Sequence, residues 1–177
     1  MNKIHIGYPK TATTSLQKQV FPYLKNHIFI DHKEFHKNGL IDLVWQADRS
    51  VNYEKLKELY NNNELDHFVS FENLVGPLYQ GSILIDTMPA RLANVFGKRS
   101  KILITIRKQD DILKSVYYQY IHQGGTMSFR SFLLHPQNGN NKIDLNAFDF
   151  YETYIRYCNE FGESNVTVIP MEFLFNN

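Results

Sequence analysis

Apolar residues along the chain follow two patterns, one typical of strands and one typical of helices. Short runs that are apolar, or that alternate between apolar and polar residues, predict strands at residues 3–7, 28–30, 67–71, 101–106 and 166–169. Apolar residues spaced three or four apart predict helices at residues 14–24, 40–47, 53–60, 89–96, 110–122, 129–134 and 148–161. Pro89 is expected in the first turn of its helix, and Gly97 and Gly162 are expected to end the helices before them. Residues 73–81 and 136–142, rich in Gly, Pro and Asn, are expected to be loops.

Strands that alternate with helices predict a three-layer α/β domain with a mainly parallel central sheet. The run from Lys101 to Ile106 is aliphatic almost throughout, as expected for a strand covered on both faces, so we place it inside the sheet. Ligands of such sheets bind where the strands reach their carboxyl ends. Gly7, Glu72 and Arg107 each stand at or just past the end of a predicted strand, so we expect them to converge at one edge.

Length and composition narrow the range of functions. The chain has 177 residues, which suits one domain, and we treat residues 1–177 as one. Hydrophobic residues make up 43% and charged residues 21%, typical of a soluble protein, and no segment is apolar for long enough to cross a bilayer. The net charge of +1 produces no overall electrostatic attraction for nucleic acid, so any anion-binding site must come from a local cluster of residues. Cys158 is the only cysteine and no leader pattern precedes the first strand, which together favour the cytoplasm.

The segment that joins the first predicted strand to the first predicted helix has the composition of an anion site. Backbone N–H groups at the start of a helix have no partner within the helix and favour a bound anion. Lys10 adds a positive charge, and Ala12 lets the backbone come close to a ligand. Hydroxyl donors come from Thr13, Thr14 and Ser15. The alternative interpretation is a helix capped by Thr or Ser, beside a lysine that binds nothing.

The order of residues in this segment separates two kinds of phosphate-binding loop. A kinase or NTPase loop reads Gly-x4-Gly-Lys-Ser/Thr, but counting from Gly7 puts Ala12 and Thr13 where the second glycine and the lysine are needed. The lysine instead stands earlier, directly after a proline. The segment Pro9-Lys-Thr-Ala-Thr-Thr-Ser-Leu16 resembles the first motif of the sulfotransferases that use PAPS, 3′-phosphoadenosine 5′-phosphosulfate. That motif reads Pro-Lys-Ser/Thr-Gly-Thr-Thr-x-Leu and binds the 5′-phosphosulfate, and here Ala12 replaces its glycine.

A second motif of that family places an arginine after a central strand and a serine eight residues later, and both hold the 3′-phosphate of PAPS. Arg107 and Ser115 resemble this pair, and Gln109 replaces the proline that usually follows the arginine by two residues. A guanidinium at a strand end offers a forked pair of donors to phosphate oxygens, and a serine on the next helix can add its hydroxyl. Taken without the first motif, Arg107 would more often form a surface ion pair with Asp110 or Asp111.

Glu72 is the candidate base, since an acceptor hydroxyl needs a group that takes its proton. Sulfotransferases use His or Glu for this task, and members that act on carbohydrates often carry a glutamate after the middle strand, which the segment Phe71-Glu-Asn73 resembles. The alternative is a glutamate that is merely solvated at a strand end.

Glu172 and a pair of histidines are expected to have no catalytic role. Glu172 resembles a glutamate that follows the last strand in family members, and we interpret it as structural. His32 and His36 have helical spacing, but the glutamate does not adjoin the first histidine as in His-Glu-x-x-His, and no third ligand is evident. No metal site is predicted.

The resemblance implies a P-loop NTPase-like fold and an enzyme that moves a sulfuryl group in line from PAPS to an acceptor hydroxyl or amine, without a metal. It assigns catalysis to Lys10 and Glu72. It assigns nucleotide binding to Lys10, Thr11, Ala12, Thr13, Thr14, Ser15, Arg107 and Ser115. The acceptor is a small molecule that the sequence does not identify, and the glutamate suggests a carbohydrate.

Two alternatives stay open at this point. A phosphoryl-transferring nucleotide kinase would need a magnesium site beside the loop. The other alternative is a nucleotide-binding module without turnover. The reason to keep it open is that the chain stops at Asn177, just after the last predicted strand, where family members usually continue. On that comparison the chain is either a C-terminally truncated fragment or a compact variant.

Overall fold

The structure is a computed structural model that describes residues 1–61, 65–75, 83–134, 143 and 145–175. Within these ranges five strands form one sheet, in the order β2-β3-β1-β4-β5. The strands are β1 (Lys3–Gly7), β2 (His27–Ile30), β3 (Asp66–Ser70), β4 (Lys101–Ile106) and β5 (Val166–Pro170). Neighbouring strands are parallel throughout, which confirms the predicted α/β class.

The middle strand determines where a ligand can bind. The chain goes from β1 to β2 and β3 on one side, and only then to β4 and β5 on the other. The strand order therefore reverses at β1, and such a reversal opens a crevice at the carboxyl ends of the strands. β4 lies between β1 and β5, inside the sheet as its aliphatic sequence predicts.

Helices connect the strands and cover both faces of the sheet. In the described part of the chain they are α1 (Thr13–Gln19), α2 (His32–Lys37), α3 (Asp42–Trp45), α4 (Tyr53–Asn61), α5 (Ile83–Phe96), α6 (Gln109–His122), α7 (Phe129–Leu134), α8 (Phe150–Phe161) and α9 (Met171–Phe175). None of them is both long and apolar enough to cross a membrane.

The helix predicted over residues 14–24 is wrong in its second half. α1 ends at Gln19, and a separate 3-10 turn follows at Phe21–Tyr23 with Pro22 near its start. Proline cannot donate the backbone hydrogen bond that would continue an α-helix, which accounts for the break.

The placement of Pro89 in a first turn is also wrong. α5 begins at Ile83, so Pro89 lies inside it. Ile85 and Met88 are 3% and 0% exposed, so the buried face of the helix starts before the proline. Burial of this apolar face offsets the hydrogen bond that the proline removes.

The first residues of the loop predicted at residues 73–81 form regular secondary structure. Its first residues belong to a 3-10 turn, Glu72–Val75, which buries Leu74 and Val75. Residues 76–81 and the second predicted loop, 136–142, lie outside the described residues.

Side chains of β1 alternate between two cores. Ile4 and Ile6 are buried in the main cluster, which includes residues of α5 and α8. His5 points to the opposite face, where its ring lies 4.9 Å from that of Phe21. Phe21 belongs to a second cluster with Leu16 of α1, so α1 and the 3-10 turn cover this face. The sheet is thus sandwiched between helical layers, as predicted.

Candidate functional site

The loop after β1 bends sharply before α1 begins. Lys10 has φ 67° and Ala12, the residue before the helix, has φ 61° and ψ 22°, so both adopt the left-handed conformation. Glycine adopts this conformation without strain, whereas a residue with a Cβ does not. The backbone at Ala12 therefore gives a physical reason for the glycine at this position of the family motif.

Gly7 lets α1 approach the end of β1. A Cβ at this position would lie 2.3 Å from Cγ2 of Thr13 and 2.8 Å from Oγ1 of Thr105. No real Cβ contact is that short, so any side chain here would displace the helix or the neighbouring strand. The glycine at the end of β1 is thus required by packing.

Thr11 supports the loop from below. Its side chain is fully buried, and its hydroxyl donates to the carbonyl of Tyr8 at 2.5 Å while its N–H donates to the same carbonyl at 3.3 Å. Tyr8 in turn donates its N–H to the carbonyl of Thr105 on β4 at 3.2 Å. The polar groups of Thr11 therefore shape the loop, whereas Thr14 is exposed and Ser15 half-buried at the start of α1.

Glu72 lies beside the loop, as the topology predicts. It opens the 3-10 turn after β3, and its carboxylate accepts a hydrogen bond from the Thr13 hydroxyl at 3.4 Å. A cleft of about 290 Å³ opens here. The residues on its walls include Lys10, Ala12, Thr13, Thr14, Glu72, Asn73 and Gln119.

Sequence reasoning missed Gln119 as a member of this cleft, whereas Asn73 begins a segment that was expected to shape the acceptor pocket. Gln119 lies on α6 four residues after Ser115, so both side chains occupy the same face of that helix. The spacing of four residues between Ser115 and Gln119 was the sequence feature from which the position of Gln119 could have been predicted. Asn73 follows the candidate base directly, in the 3-10 turn.

Arg107 joins the two predicted motifs. It follows β4, and its guanidinium donates to the carbonyl of Lys10 at 3.3 Å and to the hydroxyl of Ser115 at 3.5 Å. The predicted ion-pair alternative does not describe it, because Asp110 and Asp111 lie 3.4 and 4.0 Å from the ammonium of Lys114 instead. The first-motif loop and the second-motif pair are therefore one contiguous group of donors.

Glu172 ties the end of β5 to this edge. Its carboxylate accepts the backbone N–H of Lys108 at 3.0 Å, and this bond lowers the pKa of the Glu172 carboxyl. This hydrogen bond is to backbone, and the charges of Lys108 and Arg107 also lower the pKa of this carboxyl.

A second and larger cleft opens beside Arg107. Its volume is about 810 Å³, and apolar rings form much of its wall. Its principal residues are Arg107, Asp149, Phe150, Tyr151, Pro170 and Phe173. The rings of Tyr151 and Phe173 are 69% and 77% exposed, so they present faces to whatever enters. This cleft was not predicted from the sequence, because its walls come from β4, α8 and α9.

His32 and His36 lie outside both clefts. Their rings are 4.5 Å apart and flank Phe71, at 5.3 and 6.0 Å between centroids. Among the residues that the structure describes, no group of three His, Cys, Asp or Glu side chains could hold a metal ion.

Comparison with known proteins relates this geometry to a fold. No family model matches the chain, and no curated protein matches it. Among solved structures it resembles a sulfotransferase from Alicyclobacillus acidocaldarius, with a TM-score of 0.64 and 17% identity over 98% of this chain and 74% of that chain. The structural similarity shows a shared fold, and at this identity it shows nothing beyond the fold. The chain therefore has a sulfotransferase-like three-layer α/β fold.

Proposed function

We propose that this protein is a sulfotransferase that moves the sulfuryl group of PAPS to an acceptor hydroxyl or amine, releasing adenosine 3′,5′-bisphosphate. The observation that carries the proposal is the position of Arg107 between the carbonyl of Lys10 and the hydroxyl of Ser115. Two cationic groups, Lys10 and Arg107, thus stand on adjacent strand ends with hydroxyl donors beside each. This donor set suits a nucleotide that carries acidic groups at two separate positions, as PAPS does.

Lys10 and the loop would act on the 5′ end of the donor. As the acceptor oxygen attacks sulfur, the bond from sulfur to the bridging oxygen breaks and negative charge grows on the departing phosphate. The Lys10 ammonium and the backbone N–H groups at the start of α1 would offset that charge, which is electrostatic stabilisation by groups already in place. No further source of charge compensation is needed for this step.

Glu72 would take the proton of the acceptor. Its carboxylate borders the smaller cleft and lies 3.4 Å from the Thr13 hydroxyl, on the loop that would hold the sulfuryl group. A base must lie within hydrogen-bond reach of the proton that it removes, and this position meets that condition for an acceptor in the cleft. Asn73 and Gln119 offer amide groups to further hydroxyls, which favours a polar acceptor such as a sugar.

Arg107 and Ser115 would hold the 3′-phosphate, and the larger cleft would take the base. Arg107 lines that cleft, and the exposed rings of Tyr151 and Phe173 stand on its walls. Aromatic faces stack readily on planar rings such as adenine. In this arrangement the nucleotide spans from the loop, past Arg107, into the cleft between β4 and α9.

A transfer assay tests the proposal. The protein is incubated with PAPS labelled with ³⁵S and a panel of mono- and disaccharides, phenols and amines, with EDTA present. We expect label on a sugar acceptor, and we expect Lys10→Ala to lower kcat by about 100-fold or more, since removal of one stabilising donor has costs of this order. Lys114→Ala is the control, because that lysine pairs with Asp110 and Asp111 outside the clefts.

Two outcomes would replace the proposal. Transfer of the γ-phosphate from ATP with magnesium, and no use of PAPS, would make the protein a kinase. Tight binding of adenosine 3′,5′-bisphosphate without transfer to any acceptor would make it a nucleotide-binding module.

A further inference from the structure

A chain of buried hydrogen bonds runs beneath the loop, through three strands of the sheet. Its members, in order, are Gln17, Ser70, His5, Thr105, Thr11 and Tyr8. His5 is the centre of the chain: its Nδ1 lies 2.8 Å from the Ser70 hydroxyl and its Nε2 lies 3.0 Å from the Thr105 hydroxyl. The side chains of His5, Ser70, Thr105 and Thr11 are at most 1% exposed, so water cannot replace these partners.

The end at the loop fixes the direction of the bonds as far as His5. The carbonyl of Tyr8 can only accept, so the Thr11 hydroxyl uses its single proton on that carbonyl. The contact of 3.0 Å between Thr11 and Thr105 therefore needs the proton of Thr105. With its own proton used, the Thr105 oxygen must accept from Nε2 of His5.

The other end of the chain is compatible with the same arrangement. The Gln17 side chain lies 3.1 Å from the carbonyl of Ser70, which can only accept, so its amide nitrogen must be the group placed there. The same nitrogen donates to the Ser70 hydroxyl at 3.0 Å. Ser70 then keeps its own proton free for Nδ1 of His5, which accepts it when the ring is neutral with its proton on Nε2. The loop end thus requires a proton on Nε2 of His5, and the Gln17 end suits a neutral ring whose Nδ1 accepts.

We propose that this one-directional network positions the loop that holds the phosphosulfate, with Thr105 as the positioning residue. The inference rests on the proposed function. Thr105 touches no part of the clefts described above; it acts through Thr11, which holds the Tyr8 carbonyl against the sheet. That anchor sets where the turn at Lys10 stands, on the loop that would hold the phosphosulfate. Burial supports the arrangement, because it lowers the pKa of His5 to about 3 and keeps the ring neutral.

The protonation of His5 can be measured without any nucleotide. Two-bond ¹H–¹⁵N correlation spectra of the ¹⁵N-labelled protein report which ring nitrogen carries the proton, and His5→Gln assigns the signal. We expect the His5 signal to show a proton on Nε2 at pH 7, unchanged down to about pH 5. A proton on Nδ1, or a ring that becomes doubly protonated near pH 6.5, would overturn the network.

Substitution of Thr105 tests the positioning role. Thr105→Val keeps the shape but removes the hydroxyl, and Thr105→Ser restores it. We expect Thr105→Val to weaken binding of adenosine 3′,5′-bisphosphate by about tenfold and Thr105→Ser to stay within about twofold of the original chain. Binding of adenosine 3′-phosphate, which lacks the group that the loop would hold, should be the same in all three proteins.

Equal loss of affinity for both nucleotides in Thr105→Val would show general disruption and contradict a role at the loop, as would no loss for either. If Thr105→Val does not fold, the ring-nitrogen measurement decides whether the hydrogen-bond network exists. If the original chain binds neither nucleotide, the proposed function is wrong, and the spectra still decide whether the network exists.

Discussion

Lowering the pH from 7 to 5 should remove about 2 kcal/mol of folding free energy through the titration of His5. The ring is fully buried between hydroxyl partners, and burial lowers its pKa from the ordinary 6.5 to about 3. His5 therefore stays unprotonated in the folded protein at pH values where the same residue of the unfolded chain binds a proton. Stability from this source is complete above pH 6.5 and is lost progressively as the pH falls from 6.5 towards 3.

The size of this loss of folding free energy follows from the number of protons that His5 binds in each state. Between pH 7 and pH 5 the unfolded chain gains about 0.7 of a proton at His5 while the folded chain gains almost none, and integration over this range gives about 2 kcal/mol. His67 is also a buried histidine with a lowered pKa, so it adds a loss of the same sign. The contribution of His5 to the pH dependence must therefore be measured as the difference between the original chain and a variant that lacks His5.

Urea unfolding followed by circular dichroism at pH 7, 6 and 5 supplies that difference. We expect His5→Gln to be less stable at pH 7, because Gln cannot reproduce both bonds of the ring, but to lose about 2 kcal/mol less than the original chain on going to pH 5. His122→Gln, at an exposed position, is the matched control and should leave the pH dependence unchanged. Equal losses in His5→Gln and the original chain would refute a buried, neutral His5.

The loop and the candidate base give three more predictions. Gly7→Ala should destabilise the fold by about 1–3 kcal/mol, since its Cβ would lie 2.3 Å from Thr13, and a thermal melt with no change would contradict the packing described. Ala12→Gly should raise stability by up to about 1 kcal/mol by removing left-handed strain at φ 61°, whereas Ala12→Val should lower it in the same urea assay. Glu72→Gln should lower kcat by about 100-fold or more while nucleotide affinity, measured by calorimetry, stays the same. An unchanged kcat would remove Glu72 as the base.

The sheet and its binding edge were predictable because they depend on local sequence and simple topology. The aliphatic run in β4 and the strand-loop-helix unit at the N-terminus each specify their own structure. The rule that parallel strands present their ligands at the carboxyl edge then brings Gly7, Glu72 and Arg107 together without knowledge of the strand order. The structure places both Glu72 and Arg107 in contact with the segment after β1, at the edge that this rule indicates.

The features that escaped prediction depend on contacts between distant segments. α5 begins before Pro89 because its earlier turns are buried by the rest of the fold, and no local signal outweighs the preference of proline for a first turn. Gln119 enters the smaller cleft only because α6 runs past the loop. The partners of His5 come from two other strands, and it pairs directly with Ser70 only in the register that the folded sheet adopts.

The proposed function depends most directly on recognition, by Arg107 and Ser115, of a 3′-phosphate on the nucleotide that the loop would hold. Calorimetric titration with adenosine 3′,5′-bisphosphate and adenosine 5′-phosphate, each against the original chain and Arg107→Ala, measures that recognition directly. We predict that the bisphosphate binds the original chain about 10- to 100-fold more tightly, since hydrogen bonds to a charged group have this value, and that Arg107→Ala removes most of the difference. Equal affinity of the original chain for the two nucleotides, or a preference for ATP with magnesium over both, would contradict the account.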